Sequence, residues 1–489
     1  MTIVVETVSG SLGGIGDCGN GVKAFLGIPY AAPPVGMLRW CPPVAANPWS
    51  GVRAVTQAAA RCIQHQPYGE LEPDNPVMSE DCLYLNVWTP DISSSAALPV
   101  IFWIHGGEFF AGSGTEPRYN GGKLAARGAV VVTINHRLGV FGFLSHPELC
   151  LESGRKTSGN LGLLDQIAAL EWVRDNIAAF GGNPHCVTIA GESAGSCSVS
   201  ALMASPRARN LFHRALGQSC AYFMPERNAM KPLPHDDNAE RGVRFMRAAG
   251  AKSFAEMRSM TGRQLLDTWL RSPAERFQPC FDNDILPEVD SAFATGRQAK
   301  VPLLAGWNKE EMGFLRAKFN AKVFFKNVKR AFGDSAEPLL SAYRCDDALE
   351  SAVALASDRS MVYPTWKWAE RHAAHAPVFV YQFDRIPPGS PFGATHACEI
   401  EYVFGTLDSK PRDYRCEDRA LSEHLGDYWV KFARTGDPNG DALPSWPAYG
   451  RDKIVHYLDA VLSSRPLASR ARLELLDEIY GSGMPVQDG

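Results

Sequence analysis

Ten consecutive residues organise this sequence: Cys186-Val-Thr-Ile-Ala-Gly-Glu-Ser-Ala-Gly195. The apolar, β-branched run at 187–190 predicts a buried strand. After it, residues 191–195 match G-x-S-x-G, a motif in which a sharp strand-to-helix turn lifts a serine hydroxyl out of a sheet. That turn is cramped and needs small residues around Ser193, which Gly191 and Gly195 provide. The following helix would direct its N-terminus, with free N–H groups and a positive dipole end, at the serine.

The surrounding sequence predicts that this strand belongs to a parallel sheet. The runs at 99–104 and 129–134 are continuously apolar, which is typical of strands buried on both faces. Apolar residues recur at helical spacing from 162 to 180, and Gly181 and Gly182 close that helix. Buried strands separated by a long helix indicate parallel pairing.

The second half of the chain continues the same alternation. The stretch 224–299 is richer in Arg and Pro, and we interpret it as helical rather than as a linker. Strands are predicted at 301–306 and 378–383, and an amphipathic helix at 422–434. No internal repeat or low-complexity tract interrupts the chain, so we expect residues 1–489 to form one domain.

Composition excludes several classes of protein. The 489 residues carry a net charge of −4, so there is no basic footprint for a nucleic-acid partner. No apolar run has the length of a membrane span. The first residues lack the pattern of a signal peptide, which predicts a cytoplasmic protein, although a secreted mature form would look the same. Residues 14–19 match the dinucleotide pattern G-x-G-x-x-G, but no strand–helix unit surrounds them, and a glycine-rich hairpin turn is the better interpretation.

A serine nucleophile needs a base and an acid that orients the base. In folds built around this turn, the partners follow in the order Ser, then Asp or Glu, then His, each in a loop after a strand. Glu311 follows the predicted strand at 301–306, and His396 lies in the loop after the strand at 378–383. Their order and placement make these two residues the candidate partners of Ser193.

Backbone donors for a developing oxyanion are the third requirement. The turn geometry places one donor at the N–H of the residue after the nucleophile, Ala194. Others come from a glycine-rich turn after an earlier strand, and His105-Gly106-Gly107-Glu108 is such a turn. The glycines allow backbone N–H groups to approach a substrate oxygen closely, whereas the simpler interpretation is a plain strand-exit turn.

Taken together, these segments resemble the type-B carboxylesterases, the family of cholinesterases, mammalian carboxylesterases and bacterial para-nitrobenzyl esterases. The matching stretches are 25–40, 79–88, 103–109, 135–139, 159–219, 308–311, 396–405 and 446–449. The resemblance implies an α/β-hydrolase fold: a large, mostly parallel central sheet flanked by helices, with a small N-terminal β-region and helical insertions. It also implies one catalytic domain over the whole chain.

The resemblance assigns roles by position. Ser193 would be the nucleophile, His396 the general base and acid, and Glu311 the orienting carboxylate. The family's acid is the last carboxylate of G-x-N-K-D-E-G, which favours Glu311 over Glu310, although Met312 stands where a glycine is usual.

The family's oxyanion donors fall on the N–H groups of Gly107, Glu108 and Ala194. Position 108 is usually Gly or Ala in the family. Glu108 can still supply a donor because that donor is its backbone N–H, but its carboxylate must point away from the oxyanion, which carries the same charge. Glu192 and Ser219 resemble polar groups that lie behind the histidine in the family, although satisfied buried polar residues would look the same.

The resemblance also pairs Cys62 with Cys82 as a disulfide, which would be reduced if the protein stays in the cytoplasm. No Trp lies between these cysteines, where choline-specific members use one to hold the cation, so a choline ester is disfavoured as substrate. No metal or cofactor is expected. His372 and His375 sit three apart like a metal pair, but no accompanying motif supports that, and we interpret them as part of a solvated helix face.

The sequence thus predicts a serine carboxylesterase that acts on a small-molecule ester through an acyl-enzyme. An amidase or carbamate hydrolase would use the same machinery. A non-catalytic, cholinesterase-like adhesion protein is the alternative from another class, and it is disfavoured because all three triad positions are filled. Acyl and alcohol preference and oligomeric state stay open at this stage.

Overall fold

The computed structural model describes residues 2–65, 77–154, 156–224, 230–272, 276–317, 319–343 and 347–481. The strands are β1 (Thr2–Thr7), β2 (Gly10–Ile15), β3 (Lys23–Pro29), β4 (Val52–Ala54), β5 (Arg61–Cys62), β6 (Met78–Ser79), β7 (Tyr84–Thr89), β8 (Leu98–Ile104), β9 (Val130–Ile134), β10 (Gly182–Glu192), β11 (Arg214–Gln218), β12 (Leu233–Pro234), β13 (Cys280–Phe281), β14 (Leu303–Asn308), β15 (Val378–Phe383), β16 (Ile454–Leu458) and β17 (Ser463–Pro466).

The helices lie between these strands and, for the last one, after them. They are α1 (Gly122–Ala125), α2 (Gly139–Phe143), α3 (Pro147–Ser153), α4 (Leu161–Asn176), α5 (Ala194–Ala204), α6 (His235–Ala248), α7 (Phe254–Ser259), α8 (Gly262–Leu270), α9 (Val289–Ala294), α10 (Ala321–Phe332), α11 (Ala336–Ala342), α12 (Ala348–Ser357), α13 (Tyr363–His372), α14 (Ile400–Phe404), α15 (Cys416–Thr435) and α16 (Arg470–Gly481). A π-helical turn, Asp358–Val362, joins α12 to α13.

One large sheet runs through the molecule in the order β1-β2-β3-β7-β9-β8-β10-β11-β14-β15-β16-β17, with β4 beside β2. All pairs from β9 to β16 are parallel. The consecutive pairs from β1 to β9 in this order and the pair β16–β17 are antiparallel, whereas β4 pairs with β2 in parallel. The N-terminal β-region is therefore an antiparallel extension of the main sheet.

Both faces of the parallel block are buried. Along β8, Phe102 packs into one apolar cluster with α2, α4 and α5, while Ile101 and Trp103 pack into a second cluster with α14 and α15. Successive side chains of a strand point to opposite faces, so a strand covered on both sides needs apolar residues throughout. This requirement explains the continuous apolar runs. The large, mostly parallel sheet with helices on both faces confirms the predicted α/β-hydrolase architecture.

The predicted elements are confirmed, although β10 begins at Gly182 instead of 187 and α15 begins at Cys416 instead of 422. The runs at 99–104, 129–134, 187–190, 301–306 and 378–383 form β8, β9, β10, β14 and β15, and the helices predicted at 162–180 and 422–434 are α4 and α15. The stretch 224–299 carries helices α6 to α9. Residues 14–19 lie in the β2–β3 hairpin, where Ile15 pairs antiparallel with Ala24.

The parallel arrangement brings the predicted site residues to one edge of the sheet. The glycine turn follows β8, Ser193 follows β10, Ser219 follows β11, Glu311 follows β14, and His396 lies in the loop after β15. The carboxyl ends of parallel strands meet at the same edge, which is where ligands bind in open α/β sheets.

Candidate active site

Ser193 occupies a strained turn between β10 and α5. Its backbone angles are φ 56° and ψ −121°, a region that non-glycine residues rarely adopt. Its N–H donates to the Gln218 carbonyl at 2.8 Å, and its carbonyl accepts the Cys197 N–H at 2.9 Å. These contacts hold the residue in place although its conformation is unfavourable.

The two glycines of the motif are required by close packing. A Cβ on Gly191 would lie 2.5 Å from the carbonyl carbon of Gly195, and one on Gly195 would lie 2.1 Å from the Ile104 carbonyl oxygen. Both separations are far below van der Waals contact. The turn can therefore form only with glycine on both sides of Ser193.

His396 and Glu311 form the closest side-chain pair of the site. Nδ1 of His396 lies 2.6 Å from Oε2 of Glu311, and the His396 N–H donates to the Glu311 carbonyl at 3.1 Å. The other carboxylate oxygen of Glu311 accepts the Ser219 hydroxyl at 2.5 Å and the Asn308 N–H at 2.7 Å. Every oxygen of this buried carboxylate thus has a partner, which fixes its orientation towards the imidazole.

Glu310 serves a different contact. Its Oε2 accepts the Ala394 N–H at 2.8 Å, and its Oε1 lies 3.3 Å from Nη2 of Arg316. The side chain therefore ties down the loop that precedes His396 instead of contacting the imidazole. The glycine expected at position 312 is found one residue later, where a Cβ on Gly313 would lie 2.0 Å from the Phe392 carbonyl oxygen.

Nε2, on the other side of the His396 ring, faces Glu192. The Nε2–Oε1 distance is 3.2 Å, but the two groups are not aligned for a hydrogen bond. Among the described residues, the Ser193 hydroxyl makes no hydrogen bond. The structure thus joins His396 to Glu311 and places Glu192 against Nε2, without a hydrogen bond between Ser193 and His396.

Buried carboxylates determine the protonation of the site. Burial raises the pKa of Glu192 above its usual range, outweighing the positive charge of His396, which lowers it. Burial lowers the pKa of His396, but the negative charges of Glu192 and Glu311 outweigh that effect and raise it above 6.5. The two carboxylates therefore bias the imidazole towards its protonated form.

The glycine turn after β8 lies directly against Ser193. A Cβ on Gly106 would be 3.2 Å from Cβ of Ser193 and 2.8 Å from Oε2 of Glu192. Gly107 and Glu108 both have positive φ, 105° and 54°. Neither the Gly107 N–H nor the Ala194 N–H is hydrogen-bonded to any described residue. Free backbone donors beside a serine hydroxyl are the elements of an oxyanion-binding site.

A disulfide joins Cys62 to Cys82 and supports the exit of that turn. Gln64, within the loop that the disulfide closes, accepts the Gly112 N–H at 2.8 Å and donates to the Gly112 carbonyl at 2.9 Å. The loop's prolines at 67, 73 and 76 lie outside the described residues.

Two residues that sequence reasoning missed complete the buried network. Glu399 accepts a hydrogen bond from the Gln218 side chain at 2.9 Å and another from the Asn308 side chain at 2.6 Å. Gln218 in turn accepts the indole N–H of Trp429 at 3.0 Å. The signal for Glu399 was its position three residues after His396, inside a stretch that matches the family. Gln218, at the end of β11, had no comparable signal.

The interpretation of His372 as solvated is wrong. This side chain is fully buried at the end of α13, and its Nε2 lies 2.8 Å from the Val301 carbonyl oxygen. The chain around Val301 packs against His372 and covers it. Helical spacing alone does not reveal this contact. Within the described ranges, no group of three or more His, Cys, Asp or Glu side chains is arranged to hold a metal ion. No helix in the described part of the chain is both long and apolar enough to cross a membrane.

Comparison with known proteins shows which family the chain belongs to. The sequence pattern described as "Carboxylesterase family" matches residues 2–471. Para-nitrobenzyl esterase of Bacillus subtilis (strain 168) is 37% identical over 471 residues, covering 91% of this chain and 92% of the relative. Fumonisin B1 esterase of Sphingopyxis macrogoltabida is 35% identical, covering 92% of this chain and 85% of that protein.

Solved structures show the same relationship. A PNB esterase superposes with a TM-score of 0.85 at 34% identity, over 97% of this chain and 99% of the other. A carboxylesterase of Geobacillus stearothermophilus gives a TM-score of 0.84 at 34% identity, over 96% and 99%. The chain belongs to the type-B carboxylesterase family and is a carboxylic-ester hydrolase.

Proposed function

We propose that Ser193, His396 and Glu311 form a catalytic triad that hydrolyses small-molecule carboxylic esters through an acyl-enzyme. The observation that carries this proposal is the 2.6 Å contact between His396 and Glu311 at the sheet edge where Ser193 stands in its strained turn. A carboxylate on Nδ1 fixes the ring so that Nε2 can accept a proton. We further propose that residues 1–489 act as one catalytic domain.

In the first half-reaction, Oγ of Ser193 attacks the ester carbonyl carbon and its proton passes to Nε2 of His396. For this step the serine hydroxyl displaces Glu192 as the neighbour of Nε2. Catalytic hydrogen bonds are often long or poorly aligned until substrate binds, so a resting contact of Nε2 with Glu192 is compatible with this route. His396 then gives its proton to the leaving alcohol, which departs as the acyl–serine ester forms.

The tetrahedral intermediate carries a negative oxygen that needs donors. We assign them to the N–H groups of Gly107, Glu108 and Ala194, with Gly106 allowing the turn to approach Ser193. The Glu108 carboxylate must face away from this oxygen, because two like charges at that distance would raise the barrier. Removing one such donor typically lowers kcat by about 10²–10³-fold.

In the second half-reaction, His396 takes a proton from water and the resulting hydroxide attacks the acyl carbon. The intermediate collapses, the acid product leaves, and the proton returns to Oγ of Ser193. Two neighbouring residues support these steps. Glu192 raises the pKa of His396, and the Ser219 hydroxyl donates a hydrogen bond to the Glu311 carboxylate. No step uses a metal or cofactor.

The decisive test is the variant Ser193→Ala. We expect it to lose turnover of p-nitrophenyl acetate and labelling by a fluorophosphonate probe, while its circular dichroism and melting temperature stay close to wild type. Ser198→Ala, on the same helix, is the matched control and should keep both activities. Wild-type turnover by Ser193→Ala would refute the triad. A comparison of p-nitrophenyl esters with matched anilides and carbamates separates an esterase from an amidase or a carbamate hydrolase.

A further inference from the structure

The helical segment that follows α11 contacts both loops that carry the Glu311 hydrogen bonds. It consists of α12, the π-helical turn Asp358–Val362 and α13. Ser357, at the end of α12, accepts the Met312 N–H at 3.0 Å. Thr365, in the first turn of α13, accepts the Cys220 N–H at 2.8 Å. Both side chains are buried, so each contact satisfies a backbone donor that has no access to solvent.

These two contacts flank the groups that hold the Glu311 carboxylate. Met312 is the residue immediately after Glu311, so Ser357 fixes the chain on that side. Cys220 immediately follows Ser219, whose hydroxyl donates to Glu311 Oε1 at 2.5 Å. The same helix thus holds the backbone that carries the acid and the backbone that carries its hydrogen-bond donor.

The Ser219–Cys220 segment needs such support because its backbone is strained. Ser219 has φ 55° and Cys220 has φ 102°, values that non-glycine residues avoid. Strained conformations persist only where their surroundings hold them in place. Thr365 accepts the Cys220 N–H, and the Ser196 hydroxyl donates to the Cys220 carbonyl at 2.5 Å, so both backbone polar groups of Cys220 are held.

The π-turn explains why two residues eight positions apart meet neighbouring loops. In a continuous α-helix, at roughly 100° per residue, positions i and i+8 point about 80° apart. A π-turn accommodates one extra residue. Ser357 and Thr365 are therefore oriented as if they were about seven residues apart, and their side chains point from nearly the same face of the helix. Thr365 also donates to the carbonyl of Met361, within that turn, at 2.7 Å, which fixes its acceptor lone pair towards Cys220.

We propose that Ser357 and Thr365 are positioning residues that fix the Glu311 carboxylate for its contact with His396, and that the π-turn between them places both on the face that meets the two loops. This inference rests on the proposed triad. It assigns no contact with substrate to either side chain. Their effect reaches the reaction through the orientation of Glu311 alone.

The test uses Thr365→Val, which keeps the shape of the side chain but removes its hydroxyl. We expect kcat for p-nitrophenyl acetate to fall about 10- to 100-fold with little change in KM, because small displacements of an orienting group cost this much. The acid limb of the kcat/KM profile should also move to lower pH, because a displaced Glu311 raises the pKa of His396 less. Thr365→Ser should restore both values.

Thr268→Val is the matched control. Thr268 is also a buried helical threonine that donates to the carbonyl four residues earlier, at 2.9 Å, but it lies on α8 away from both loops. We expect its kcat and pH profile to match wild type. If Thr365→Val does not accumulate as folded protein, Ser357→Ala decides the question by the same two readouts.

The possible outcomes separate this proposal from the triad itself. A lower kcat, a shifted acid limb and rescue by Thr365→Ser support the positioning role. An unchanged profile, or a loss of kcat that Thr365→Ser does not restore, overturns it. The rate at which a fluorophosphonate labels Ser193 is measured in parallel. If Ser193 of the wild-type protein is not labelled, the proposed triad is wrong. If Thr365→Val is labelled as fast as the wild-type protein, only the positioning role is contradicted.

Discussion

Oε1 of Glu192 lies 3.2 Å from Nε2 of His396, the nitrogen that receives the proton of Ser193 in the proposed mechanism. The imidazole therefore stands between two carboxylates, because Glu311 contacts its Nδ1 side. In the proposed triad, Glu311 orients the ring, whereas Glu192 lies on the path of the serine proton. The charge of Glu192 thus bears directly on the pH range in which the enzyme works.

Replacing Glu192 should shift the pH dependence of hydrolysis. A general base acts only when it is neutral, so activity falls as pH drops through the pKa of His396. Glu192 raises that pKa, and Glu192→Gln should therefore move the acid limb of kcat/KM to lower pH, by about 1 unit. The limb is measured with p-nitrophenyl butyrate. Glu474→Gln, on the partly exposed face of α16, is the control, and a limb that stays in place in Glu192→Gln would contradict this account.

The neighbouring acids Glu310 and Glu311 offer an internally matched pair. Glu311→Gln removes the carboxylate that orients His396, so kcat should fall about 10³–10⁴-fold, as for other triad acids. Glu310→Gln weakens only the contacts with Ala394 and Arg316, and should cost about 1 kcal/mol of unfolding free energy with kcat within about tenfold of wild type. Steady-state kinetics and urea denaturation measure the two effects. The opposite ranking would move the orienting role to Glu310.

Gly195→Ala tests the packing of the serine turn. Its Cβ would lie 2.1 Å from the Ile104 carbonyl oxygen, so β8 and the turn must separate. We expect a loss of more than about 2 kcal/mol of stability and a strong fall in kcat. Differential scanning calorimetry and turnover are the measurements. Gly440→Ala, whose added Cβ meets nothing closer than 3.8 Å, should change neither quantity, and a Gly195→Ala enzyme with normal stability would show that the turn tolerates the methyl group.

Opening the Cys62–Cys82 disulfide should lower stability and disturb the glycine turn. Closing a loop with a sequence separation of 20 stabilises a fold by about 3 kcal/mol, so Cys82→Ser should melt at a clearly lower temperature. Because Gln64 links this loop to Gly112, kcat should also fall. Cys18→Ser, at an exposed free cysteine, is the control. Equal melting temperatures with and without reductant in the wild-type protein would argue against a stabilising role for the disulfide.

Much of the fold could be predicted because its central strands are buried on both faces. That burial imposes continuous apolar runs, and 99–104, 129–134 and 378–383 are visible in the sequence for this reason. The shared location of Ser193, Glu311 and His396 could be predicted for a similar reason. Each residue follows a strand of one parallel sheet, so all three must lie at the same edge of that sheet.

Other features depend on contacts that no local pattern encodes. Gln218 is a polar residue at the end of an apolar strand, and only its hydrogen bond to Glu399, 181 residues later in the chain, gives it a role. His372 has the spacing of a surface helix residue, yet the 301 segment covers it. The placement of Glu192 against Nε2 depends on side-chain orientation, which spacing does not determine.

The backbone of the proposed nucleophile, Ser193, also restricts which side chains can act at this position. At φ 56° the residue tolerates serine, and cysteine has a side chain of the same branching. Threonine carries an equivalent hydroxyl, but β-branched residues are genuine outliers at positive φ. Ser193→Thr alone should therefore not give a working threonine hydrolase, because the turn disfavours a β-branched side chain. Ser193→Cys places a thiol at the same position without that conflict.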